Sequence, residues 1–184
     1  KVQEEKVFGG QKTAALAPEK RKALLAEVLP VIRGAVSDSK KMIVTYDDAE
    51  DVLQFVNSRD AKELSQVGAA CPDHLVHTKR VPLYIDWDPA NGDTDSLKAA
   101  VRQGVEAYKE EYKAYFERNK NEGDVMSEAA PRVILIPGIG MVNTGKSLDM
   151  AGVSGALYHR AIAVMKGSTA LGQFVSLSEN ESYN

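Results

Sequence analysis

Apolar positions along this chain follow two rhythms, and the switches between them mark out the elements. Leu24, Leu25, Val28, Leu29, Ile32 and Val36 recur every three or four residues, the spacing of one helix face. Pro18 and Glu19 suit the first turn of that helix, where a missing N–H costs nothing and a carboxylate meets the positive end of the dipole. Pro30 predicts a kink or break near Leu29, and Gly34 a stop. Residues 41–46 (KMIVTY) then change to a β-branched run and predict a strand. Helical spacing returns over residues 49–56, with Asp48 as the expected N-cap, and over residues 61–66. Residues 69–79 read as irregular or as a short turn of helix around Pro72.

A second strand is predicted over residues 81–86 (VPLYID), followed by turn chemistry at residues 89–93 (PANGD). Asp95 or Ser96 caps the longest helix, which runs to about Asn119. Its stripe is Leu97, Val101, Val105, Tyr108, Tyr112, Tyr115 and Phe116, and its other face is charged and solvated. Residues 132–136 (RVILI) form a third strand, and residues 137–145 a glycine-rich loop. A helix over residues 147–165 presents Met150, Val153, Leu157, Ala161 and Val164 on one face. Residues 173–177 (QFVSL) read as a fourth, short strand. Strands alternating with helices predict an α/β fold, a Rossmann-like three-layer sandwich with a mostly parallel sheet. Residues 1–17 read as a loose lead-in and residues 18–184 as one α/β domain.

Composition narrows the function classes. The chain has 184 residues, 43% of them hydrophobic and 27% charged, with a net charge of −3. It is long enough to bury a core without staples. A weakly acidic chain offers no broad basic field, so no nucleic-acid partner is expected. No apolar run approaches the ~20 residues of a membrane span, so no membrane partner is expected either. The single cysteine, Cys71, forbids an internal disulfide and suits a reducing, cytoplasmic setting. No initiator Met is present and no closing helix follows residues 173–177, so the chain reads as an internal piece of a longer protein.

Three groups of residues could carry chemistry. Residues 140–147 (GMVNTGKS) match the pattern of a phosphate-cradling loop, in which Lys146 and Ser147 would hold phosphate and Mg²⁺. Three residues separate the motif from the preceding strand, and no later strand supplies the usual Asp, so nucleotide hydrolysis is not expected. The helix N-terminus behind it still favours an anion. Cys71, His74 and His77 are all metal-ligand types, yet their spacing fans around a helix, and no metal site is predicted. His74, Thr78 and Lys79 instead offer donors to an anion. The candidate anion site therefore comprises Gly138, Gly140, Gly145, Lys146, Lys79, His74 and Thr78, at the carboxyl ends of the predicted strands. Asp47 and Asp86 at the same ends would repel a bare anion, which favours a hydroxyl-rich phosphorylated ligand. No catalytic residue is assigned. No tyrosine is followed four residues later by lysine, and Gly138-Ile139-Gly140 lacks the third glycine of a dinucleotide fingerprint.

Four runs in order carry a resemblance. They are Asp47-Asp48 with residues 52–58 (VLQFVNS), Cys71-Pro72-Asp73-His74 with Thr78-Lys79, residues 81–86 with Trp87-Asp88-Pro89, and residues 133–141 with Gly145-Lys146. Together they resemble the bifunctional rhamnulose-1-phosphate aldolase/short-chain dehydrogenase proteins, over most of residues 18–184. The resemblance implies a segment between the aldolase zinc site and the dehydrogenase domain. It implies a cytoplasmic parent protein that cleaves a phosphorylated deoxy-ketose and oxidises the resulting aldehyde, using zinc and NAD held outside this segment. Neither family catalytic set has matching positions here. The expected partners are the flanking aldolase and dehydrogenase domains, a sugar phosphate, and a second copy of the chain. The rival functions are a structural linker or oligomerisation domain without a ligand, and a nucleotide binder of the phosphate-loop type.

Overall fold

The computed structural model describes residues 4–183. A short 3-10 segment at Glu4–Gly9 precedes six α-helices, α1 (Pro18–Val36), α2 (Glu50–Val56), α3 (Ala61–Ser65), α4 (Pro72–His77), α5 (Thr94–Asn119) and α6 (Leu148–Leu171), among the described residues. Its strands are β1 (Ile43–Asp47), β2 (Leu83–Tyr84), β3 (Val133–Ile136) and β4 (Gly140–Gly145). They form one four-stranded sheet in the order β1-β4-β3-β2.

The fold is α/β, but the sheet is mixed rather than mostly parallel. β4 pairs antiparallel with both β1 and β3, and only β2 and β3 pair in parallel. It follows that β1, β2 and β3 all point one way, and β4 runs back between β1 and β3. The predicted glycine-rich loop is thus a hairpin. Ile136 pairs with Gly140 across a turn at residues 137–139, and Gly138 supplies the positive φ (+76°) that such a turn requires. The run over residues 140–145 lacks the β-branched look of a strand. Its neighbours on both sides make it one, and all six of its residues are buried.

Alternation along the strands sends side chains into two cores, one on each face. Ile134, Ile136 and Val142 pack with Leu25, Val28 and Ile32 of α1 and Leu97, Val101 and Val105 of α5. Val133, Leu135 and Met141 pack with Phe55 of α2 and Tyr158, Ile162 and Met165 of α6. The lead-in segment also contributes: Val7 and Phe8 are buried in the second core, with the Phe8 ring 5.0 Å from that of Phe55 in an edge-to-face contact.

Other expectations shift in detail. α1 runs unbroken through Pro30, because Pro30 and Ala26, whose carbonyl loses its intrahelical donor, both face solvent. Asp93 caps α5 through a reciprocal pair with Ser96, at 2.8 and 2.9 Å, so the helix starts earlier than predicted. α6 extends to Leu171 and buries Ala151, Ser154, Tyr158, Ile162 and Met165. Of the predicted face only Ala161 is buried, and Met150, Val153 and Val164 are exposed. Residues 173–177 form no strand; Phe174 is buried there and the Ser176 hydroxyl donates to the Ala69 carbonyl at 2.7 Å, but no backbone ladder forms.

Candidate functional site

The mixed sheet separates the residues predicted to share one site. Gly138 and Gly140 lie at the edge where β1, β2 and β3 end. Gly145 and Lys146 lie at the other edge, about 17 Å away along β4 at ~3.4 Å per residue. The N–H of Gly138 donates to Asn57 Oδ1 at 2.6 Å, and its carbonyl accepts from Leu16 N–H at 2.9 Å. Residues 140–145 lie between two neighbours in an extended ladder, so they do not wrap a phosphate with consecutive N–H groups. Gly145 has a packing reason instead: a Cβ there would meet the Ala151 nitrogen at 2.5 Å. Ser147 caps α6, its hydroxyl accepting from Met150 N–H at 3.2 Å. This stretch matches a phosphate loop in letters and not in shape.

His74, Thr78 and Lys79 do come together, on α4 and the turn after it. Thr78 Oγ1 donates to the His74 carbonyl at 2.9 Å. His74 Nδ1 accepts from Ala70 N–H, which places the ring proton on Nε2 in the neutral form. Burial holds this imidazole below its usual range, against the opposing charge of Asp73. Among the described residues its Nε2 and the Tyr158 hydroxyl are both buried without a partner, and both residues line one small cavity. Lys79 stands with φ of +64°, uncommon for a residue with a side chain. Its ammonium lies 3.5 Å from the centroid of the Tyr112 ring and donates to the Glu128 carbonyl. Burial, aided by Arg132 and opposed by Glu128, pushes it down to about 7. Lys146 reaches the same neighbourhood through Glu128, Nζ to Oε1 at 3.3 Å. That carboxylate, shared with Arg132 at 3.1 Å, already answers much of the positive charge there.

Beside this cluster is a cleft of about 390 Å³ between α5 and the open edge of β2. Tyr84, Tyr108, Tyr112 and Tyr115 line it, with Lys79 and Arg80 in its wall.

The opposite edge holds a second polar cluster. His159 of α6 is clamped between two carboxylates, with Nδ1 2.6 Å from Asp51 Oδ2 and Nε2 2.8 Å from Asp47 Oδ2. Partial burial disfavours its charge, but the two carboxylates outweigh that and hold it above the usual imidazole range. Asp47 also accepts from Ala49 N–H at 2.9 Å, and Asp48 pairs with Arg21 at 2.9 Å instead of capping α2. Sequence patterns pass over His159, which sits alone on α6 with its carboxylates far away in the chain. The signal available was Asp47 at a strand end. Among the described residues, no three His, Cys, Asp or Glu side chains form a group able to hold a metal ion. Nor is any described helix long and apolar enough to cross a membrane.

Residues 23–184 match the family model described as aldolase class II, second domain. The chain belongs to that family. The second-domain description agrees with a unit that works beside others. A protein of Bacillus subtilis (strain 168), named the uncharacterized oxidoreductase YuxG, is 65% identical over all 184 residues. The chain spans 27% of that relative's length, so the similar second-domain segment there is one part of a larger protein.

Proposed function

We propose that this chain is a non-catalytic second domain of a bifunctional protein, placed between an aldolase part and a short-chain dehydrogenase part. The aldolase part cleaves a phosphorylated deoxy-ketose, and the dehydrogenase part oxidises the aldehyde released. The observation that carries this is the match of residues 23–184 to a class II aldolase second domain within a segment that makes up 27% of an oxidoreductase-named relative. Zinc and NAD are assigned here to the flanking parts, as the resemblance to the bifunctional family implies. The described residues assemble no metal-holding group, and Gly138-Ile139-Gly140 sits in a hairpin turn rather than at a strand-to-helix junction. Met150, Val153, Leu157 and Val164 leave an apolar stripe on the outer side of α6 that suits contact with a flanking part. A cytoplasmic location goes with this function, and the one cysteine, Cys71, is exposed and unpaired.

The test uses substitutions at exposed positions in the longer protein. Lys146→Ala and Cys71→Ser should leave kcat for both reactions within about twofold. A loss of about 100-fold at unchanged thermal stability, equivalent to ~2.7 kcal/mol of transition-state stabilisation, would move chemistry into this domain.

A further inference from the structure

We propose that the cleft between β2 and α5 binds a small ring-bearing anion, its ring among the tyrosines and its negative group at Arg80. The cavity, about 390 Å³, falls within the range of small-molecule sites. Its walls are aromatic, and the Tyr108 hydroxyl is engaged, donating to the Val81 carbonyl at 2.7 Å. The Lys79 ammonium takes one face of Tyr112, and the ring surface left in the cleft suits flat or cyclic groups, which stack well on it.

The charge pattern supplies the second half of the ligand. At one end of the cleft Glu111 and Glu179 are both held by Arg118, at 2.7 and 3.0 Å. At the other, Lys62 is paired with Asp86 at 2.8 Å. Lys79 is committed to Tyr112 and the Glu128 carbonyl. Arg80 differs. Among the described residues its guanidinium makes no ion pair within 4 Å, although its charge adds to that of Arg118 in holding the Glu179 carboxyl down; its Nη2 reaches the Val67 carbonyl only at 3.5 Å, and its Nε is buried without an acceptor. A partly desolvated guanidinium with unused donors favours a carboxylate or phosphate. The strained backbone of Lys79 lies next to it, as strain often does at ligand sites.

The open edge of β2 could instead attract another strand, but the residues leading into it hinder one. Pro82 has no N–H, its carbonyl accepts from Gln66 Nε2 at 3.2 Å, and Tyr108 covers the Val81 carbonyl. A small molecule is the occupant that these caps still admit.

The experiment is NMR titration of the 184-residue chain with phenyl phosphate and benzoate, beside inorganic phosphate and benzyl alcohol. Saturable shifts centred on residues 80–84 and 104–115 are expected with one or both ring anions. Phosphate alone and the neutral ring should bind roughly tenfold more weakly or less. Ala107→Trp, at an exposed position of α5 on the rim, should abolish binding without touching the core. Arg80→Gln should weaken it about tenfold. The proposal is overturned if neither ring anion saturates at millimolar concentration, if benzyl alcohol binds equally well, or if binding survives Ala107→Trp in a folded variant.

Discussion

His159 ties three elements together through one ring, which makes its protonation a stability matter. Asp47 comes from β1, Asp51 from α2, and the imidazole from α6. Because its proton is bound more tightly in the folded chain than in the unfolded one, the charged clamp stabilises fully below the ordinary value of 6.5. That contribution fades as pH rises through the raised value, since a neutral ring donates to only one of the two carboxylates. His159→Gln should therefore cost about 1 kcal/mol at pH 6 and clearly less at pH 9, read from urea midpoints. An equal cost at both pH values would show that the ring matters only for packing. Single residues of this kind are poorly legible in a sequence. Asp47 is visible as a strand end, but its partner lies 112 positions away. Lys79 was legible as a candidate donor, while Arg80 beside it drew no attention because nothing local marks a guanidinium as unpaired.

Among the elements, β4 and α6 decide the architecture, and they meet at Gly145. A Cβ added there would strike the Ala151 backbone at 2.5 Å, which cannot yield as a side chain can. Gly145→Ala should lose about 2 kcal/mol, or some 4–8 °C in thermal midpoint. Gly152→Ala, beside Ala151 on α6, is the control. It faces open space, so the substitution should be neutral or stabilise by up to ~1 kcal/mol. Helices and apolar strands were legible because their periodicity is strong: α5 and β3 stand within a few residues of their predicted positions. The identity of β4 was not, because Gly140, Asn143 and Gly145 look like loop residues and become a strand only through pairing on both sides. One cue was present: an apolar strand, then Pro137-Gly138, then Met141-Val142, as in a hairpin. The buried face of α6 differs from the predicted apolar stripe for a related reason, although Gly155, small enough in the sequence to suggest close packing on a sheet, is buried against Asn143. Small residues such as Ala151, Ser154 and Gly155 allow close approach to the sheet, and larger ones such as Met150 and Val153 are left outside.

At the scale of the whole molecule, the sheet carries a separate core on each face, and the segment before α1 completes one of them. Phe8→Ala should cost about 3 kcal/mol, as for other buried aromatics, and calorimetry should show one cooperative transition at a lower midpoint. A shift under ~0.5 kcal/mol would show that residues before Pro18 stand apart from the fold. The alternation of helices and strands gave the layers correctly. It could not give the reversal of β4, which disperses the predicted anion site to two edges and removes the phosphate loop. What remains is a folded unit with a clamp at one edge, a tyrosine-lined cleft beside the other, and an apolar stripe facing outward, set, on the function proposed here, within a protein that does its chemistry elsewhere. The most direct measurement of the proposed function compares the purified 184-residue chain with the longer protein, for cleavage of a phosphorylated deoxy-ketose, rhamnulose 1-phosphate, and for NAD-dependent oxidation of the aldehyde released. The longer protein should carry out both reactions and the chain alone neither. Turnover by the chain that scales with its concentration, or a longer protein that lacks either reaction, would contradict this account.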